Sequence, residues 1–211
     1  MAPSLIVIAK QPIPGRVKTR LTPPCTRAQA ARLAAAAIED TLAAALATHG
    51  AGRRVLVLDG EPGPWLPAGL EVLPQRGDGL AERLAAAFAD VGGPAFLVGM
   101  DTPQVTPALL GAGLGALESF ESAFGPALDG GYWGIGLREP DDAVFAGVPM
   151  SATHTGGVQR ARLAALGHRT AVLPPLLDVD TFADARLVAA EAPDGAFAHA
   201  LATMAPAEVA A

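Results

Sequence analysis

The sequence predicts an α/β fold, a mostly parallel mixed sheet with helices on both faces, in one domain spanning residues 1–211. Three observations carry this expectation. Short continuous apolar runs such as SLIVIA (Ser4 to Ala9) have the pattern of strands covered on both faces. Longer alanine-rich segments separate them, and strands alternating with helices imply parallel pairing. One interruption, SAFGPALDGGYWGIGL, instead reads as two strands around a Gly-Gly turn, placing a mixed edge on the sheet.

The elements follow in order. After the first strand, Thr26 can cap a long helix from about Arg27 to Thr48. RRVLVLD (Arg53 to Asp59) is a second buried strand and LEVLPQ (Leu70 to Gln75) a shorter third. A helix near Leu80 to Asp90 leads to AFLVGMD (Ala95 to Asp101), a fourth strand ending in a carboxylate. A helix over Pro107 to Leu117 precedes the hairpin. Then come a helix at Thr155 to Leu166, a strand at Thr170 to Leu173, and helices after Asp180. The last dozen residues, small and interrupted by proline, are expected to fray.

Composition narrows the function. The 51% hydrophobic content is ample for a core, and Arg32, Glu39 and Asp40 break the alanine run that would otherwise suggest a membrane span. No basic segment precedes the first apolar run, and a lone Cys25 excludes a disulfide framework or a cysteine-based zinc site. These features predict a cytoplasmic protein with no membrane partner. The net charge of −6 is unevenly spread: Lys10, Arg16, Lys18, Arg20, Arg27 and Arg32 all precede Glu39, the first acidic residue. An acidic body argues against nucleic-acid binding, while a local basic patch suits a small anion such as a nucleotide.

Ligands of open α/β sheets bind beyond the carboxyl ends of the strands, where Lys10, Asp59 and Asp101 fall. The stretch AKQPIPGRVKTRL (Ala9 to Leu21) contains both lysines of the chain. Pro12 and Pro14 stiffen it, Gly15 permits a close turn, and Arg16, Lys18 and Arg20 alternate as in an extended segment presenting one face. Point charges and planar guanidinium forks together suit a di- or triphosphate. Neither the Walker A loop nor the dinucleotide fingerprint is present. On charge alone, a solvated surface loop is an equal alternative.

AKQPIPGRVKTRL resembles the opening motif of the DUF2064 family of bacterial transferases, and is distantly similar to the openings of 2-phospho-L-lactate and molybdenum cofactor guanylyltransferases. The resemblance continues in order through VGMDTPQV, PALDGGYWGIGL, VPMSATHTG and DVDTFADARL, from about Leu5 to Val188. It implies a three-layer GT-A, nucleotide-diphospho-sugar transferase fold. Substrate phosphates would then meet Lys10, Gly15, Arg16, Lys18, Thr19 and Arg20.

The carboxylates each have two readings. Asp101, at a strand end before Thr102-Pro103, suits Mg²⁺ or Mn²⁺, or an ordinary turn before the next helix. The resemblance matches it to the metal-binding aspartate of GT-A proteins, although the usual D-x-D is here Met100-Asp101-Thr102. Asp180, in Asp178-Val179-Asp180-Thr181, matches a second metal-site aspartate, with helix capping as its alternative and Asp178 as the next candidate. Asp129, Gly130 and Gly131 form a turn whose role is either purely structural or substrate contact, and the resemblance adds weight to substrate contact by Asp129. Tyr132 and Trp133 beside these glycines suit a flat wall for a base, sugar or acceptor, with core packing an equal alternative for Trp133. Ser151 and Thr153 precede a helix and can bind an acceptor or simply cap.

Lys18, Asp101 and Asp129 are thus the catalytic candidates of a metal-dependent transferase acting on a nucleotide and a small acceptor. The resemblance implies sugar transfer from a nucleoside diphosphate sugar. Four clustered cations suit the triphosphate of a nucleotidyltransferase, and the missing D-x-D leaves room for a non-catalytic nucleotide-binding domain.

Overall fold

The computed structural model describes residues 2–204 and builds them around one seven-stranded sheet. In chain order the elements are β1 (Ser4–Lys10), α1 (Arg27–Ala47), β2 (Arg54–Asp59), β3 (Glu71–Pro74), α2 (Leu80–Val91), β4 (Ala95–Gly99) and α3 (Pro107–Ala116). They continue with β5 (Ser122–Pro126), β6 (Tyr132–Leu137), α4 (Thr155–Ala165), β7 (Thr170–Val172), α5 (Phe182–Glu191) and α6 (Ala196–Ala202). The strand order is β3-β2-β1-β4-β6-β5-β7, and only β6 runs against its neighbours.

The hairpin does not form the expected mixed edge. β6 lies inside the sheet between β4 and β5, and the edges are the short strands β3 and β7. Its sequence explains this position: residues 133–137 are all buried, so both faces of the strand need cover. Short edge strands also offer little template for pairing with other chains.

Helices cover both faces, as the alternation implied. On one face, Leu5, Val7, Leu56 and Phe96 pack with Ile38 and Leu42 of α1 and Leu110 and Leu114 of α3. On the other, Ile6, Val55, Leu97 and Ile135 pack with Leu84 and Phe88 of α2 and Leu163 of α4. A third cluster, including Leu33, Ala37, Val188 and Phe197, joins α1 to α5 and α6. Because α1 is covered on two sides, its many alanines let helices approach closely on each. Its start is a capping box in which Thr26 and Gln29 exchange side-chain and backbone hydrogen bonds. Asp40 accepts from the N–H groups of Ala196 and Phe197, each at 2.8 Å, and so caps α6 from a distant helix.

Part of the segment expected to fray is ordered, since α6 extends to Ala202, while residues 205–211 lie outside the described residues. Among the described residues no helix is long and apolar enough to cross a membrane.

The centre of the sheet is organised by Phe96, whose ring meets Trp133 at a centroid distance of 5.7 Å. A Cβ on Gly113, Gly134 or Gly136 would come within 2.7, 2.6 or 2.9 Å of that ring, so glycines in α3 and β6 make its seat. Phe96→Ala is expected to cost about 3–5 kcal/mol of stability. Urea unfolding measures it, and a loss below about 1 kcal/mol would contradict this packing account.

Candidate active site

A cleft of about 590 Å³ opens at the carboxyl ends of β1 and β4, where the parallel-sheet rule places ligands. One wall is basic. Lys10 ends β1, and the chain then turns: the N–H of Arg16 donates to the carbonyl of Ile13 at 3.0 Å, with Gly15 at φ +80°. The following segment is not extended. Lys18 has left-handed backbone (φ 47°) and Thr19–Leu21 is a single 3-10 turn. Val17 and Leu21 are both buried, and anchoring them four positions apart coils the loop that charge alternation alone suggested was straight.

The opposite wall is acidic. Val179 is fully buried, and its N–H donates to the Asp101 carbonyl at 2.9 Å. With Val179 turned into the core, the flanking Asp178 and Asp180 both line the cleft. Their carboxylates and that of Asp129 offer oxygens lying within 4.8 Å of one another. The Asp129 carboxylate accepts from the Gly131 N–H at 2.7 Å. Its neighbour Gly130 has φ +93°, and a Cβ there would lie 1.9 Å from the Thr153 carbonyl oxygen. Glycine is therefore the residue that lets this turn dock on the segment entering α4.

Asp101 stands outside that group of three. Its Oδ1 lies 2.5 Å from the Lys18 Nζ, which also donates to the Val179 carbonyl, and Arg20 pairs with Asp180 at 2.6 Å. Lys10 and Arg16, by contrast, have no ion-pair partner among the described residues and line the cleft. Of the other sequence candidates, Thr19, Gly131, Tyr132 and Ser151 line the cleft, while Gly15, Gly130 and Thr153 are not among its lining residues. Trp133 is 3% exposed and donates to the Pro174 carbonyl, so its bulk belongs to the core.

The cleft lining also includes the apolar side chains of Ile8, Leu80, Leu84, Leu97 and Met150 and the ring of Tyr132. Burial pushes the Tyr132 phenol up, so it stays neutral. Sequence reasoning missed Gln75, Asp78 and Arg83, which also line the cleft. Arg83 pairs with Asp59 at 2.8 Å, and Gln75 donates to the Ala9 carbonyl at 2.7 Å. The signal was available: the turn Arg76-Gly77-Asp78-Gly79 follows β3 at the same rim as Lys10 and Asp101.

The donor set fits a hard divalent cation. Carboxylate oxygens are its preferred ligands, and Asp178 Oδ1 is buried with no hydrogen-bond partner among the described residues. Burial, together with the charges of Asp129, Asp180 and Asp101, pushes the Asp178 carboxyl up to about 6.

Residues 30–152 match the bacterial family described as "uncharacterized protein conserved in bacteria (DUF2064)". A candidate nucleotide-diphospho-sugar transferase from Desulfovibrio desulfuricans G20 is similar at 25% identity and a TM-score of 0.83, over 95% of this chain and 93% of that one. The 2-C-methyl-D-erythritol 4-phosphate cytidylyltransferase of Thermus thermophilus is similar in fold, at 18% identity and a TM-score of 0.56 over 92% and 100% of the two chains. So is Rv0371c of Mycobacterium tuberculosis H37Rv, solved as a manganese complex, at 21% identity and 0.52 over 89% and 98%. No curated protein matches. The family match spans more than half of the chain, which therefore belongs to the DUF2064 family and has the nucleotide-diphospho-sugar transferase fold.

Because the folded-state value of Asp178 lies above its ordinary 3.8, the metal-free protein loses stability as pH rises from about 4 through 6. Asp178→Asn is expected to stabilise the chelator-treated protein at pH 7 by about 1 kcal/mol, after discounting for partial exposure. The gain should vanish below pH 4. Thermal melts across this range check it, and a lower midpoint for the variant at pH 7 would contradict the electrostatic account.

Proposed function

We propose that this member of the DUF2064 family is a metal-dependent transferase that moves a sugar from a nucleoside diphosphate sugar to a small acceptor. The observation that carries the reading is the cleft itself, where a cationic loop faces a group of carboxylates across the carboxyl rim of the sheet. The likeness to the Desulfovibrio protein, at a TM-score of 0.83 over nearly the whole of both chains, supports the same class.

The ion pairs favour sugar transfer over nucleotidyl transfer. Four cations on the loop suit a triphosphate, but Lys18 is engaged with Asp101 and Arg20 with Asp180. Lys10 and Arg16 remain to hold phosphate oxygens, a charge closer to the need of a diphosphate. Asp178 and Asp180, with Asp129, would hold Mg²⁺ or Mn²⁺. The ion, when bound, would supply charge neutralisation for the departing diphosphate. The chain positions the rest: Asp129, fixed by the Gly131 N–H, presents its carboxylate at the mouth, and Tyr132 and Ser151 bound the space for sugar and acceptor.

A thermal-shift panel in Mg²⁺ comparing nucleoside diphosphate sugars with nucleoside triphosphates tests the proposal. Stabilisation by sugar nucleotides is the expected outcome. Stabilisation by triphosphates alone would transfer the assignment to a nucleotidyltransferase, and no stabilisation by either would defeat the nucleotide reading. Tight binding without turnover would leave a non-catalytic nucleotide-binding domain. In the same assay Lys10→Ala and Arg16→Ala should each weaken sugar-nucleotide binding about tenfold, the effect of one charge-assisted contact. Unchanged affinities would return the loop to a solvated surface.

A further inference from the structure

Lys18 lies at the junction of three segments that are far apart in sequence. Its side chain is 7% exposed, and its Nζ sits 2.5 Å from Asp101 Oδ1 while donating to the Val179 carbonyl. The Val179 N–H donates in turn to the Asp101 carbonyl at 2.9 Å, closing a ring of contacts. The left-handed backbone of Lys18 directs the lysine into this ring, a conformation that a non-glycine residue rarely adopts without compensating contacts. Two of the three N–H donors of the ammonium are thereby used on the protein. A lysine so placed is poorly disposed to serve as a mobile phosphate ligand.

We propose that Lys18 is the internal counter-ion of the acidic wall, a positioning residue that holds Asp101 apart and sets how tightly the cleft takes up a divalent cation. The inference rests on the metal-dependent reading above. Asp101, Asp129, Asp178 and Asp180 bring four carboxylates into one wall, and Lys18 and Arg20 are the two cations paired with it. The balance of two negative charges matches one divalent ion. Removing the Lys18 charge frees Asp101 and removes a repulsion between the ammonium and the incoming cation, and both changes favour the metal. A role as phosphate ligand makes no such prediction.

The test is Mn²⁺ binding to the chelator-stripped full-length chain without nucleotide, followed by the electron paramagnetic resonance signal of free Mn²⁺. Lys18→Met and Lys18→Gln remove the charge, and Lys18→Arg retains it. Both neutral variants should bind Mn²⁺ about tenfold more tightly than the wild type, and Lys18→Arg should stay within about threefold of it. Their metal-free melting temperatures should fall and recover on adding Mn²⁺. Neutral variants that fold but bind Mn²⁺ no more tightly than the wild type overturn the proposal. Gln keeps N–H donors for Asp101 and Val179, so it carries the comparison if the Met variant fails to fold. Should neither neutral variant fold without metal, folding restored by Mn²⁺ supports the proposal, and no restoration overturns it. Wild-type binding with unchanged variants sinks this inference alone, whereas no Mn²⁺ uptake by any of the proteins sinks the metal reading as well.

Discussion

Strands β1, β2 and β4 are buried on both faces, and the arrangement of the cleft follows from that constraint. A strand with apolar residues on each side has no lateral surface for polar chemistry, which is displaced to its ends. Parallel pairing of β1 with β2 and β4 then brings the chemically useful ends to one rim. Lys10 and Asp101 come within one cleft because they follow adjacent strands that run the same way. The seat of Phe96 serves the same end, since it lets the reversed strand β6 lie against β4 and carry Tyr132 to that rim.

The second organising feature is charge held close to charge. Val179 is drawn into the core, and the aspartates on either side of it are consequently kept together near Asp129. Gathering carboxylates in a half-buried place is unfavourable, as the upward displacement of Asp178 shows. The cost is offset by Lys18 and Arg20, which reach the acidic wall from the basic loop. The two walls of the cleft are therefore one electrostatic system. The loop both lines the cleft, through Lys10 and Arg16, and pairs with the wall opposite, through Lys18 and Arg20.

Most of the architecture was legible because periodicity and burial act locally. SLIVIA, RVLVLD and AFLVG each declare a strand buried on both faces, and Thr26 followed by Gln29 announces the start of α1. Order in the sheet was less legible: nothing near the Gly-Gly turn states that β6 inserts between β4 and β5. The coiling of residues 16–21 was hidden because alternating charges suggested a strand, while the buried Val17 and Leu21 decide the conformation. Gln75, Asp78 and Arg83 went unnoticed because a turn rich in glycine and charge looks like ordinary solvent-facing chain.

The sequence by itself determined the α/β class, the rim at which the strand ends collect, and the charged residue types gathered there, because these depend on short-range pattern and on the geometry of parallel strands. Tertiary structure decided which charges are committed to one another. Lys18 and Asp101 are separated by more than eighty residues, and Arg20 and Asp180 by still more, so no local pattern records their pairing. The division of the loop into two cations held by the protein and two facing the cleft is a property of distance in space. An electrostatic partner is chosen by proximity in the fold, and burial of Val17, Leu21 and Val179 sets that proximity.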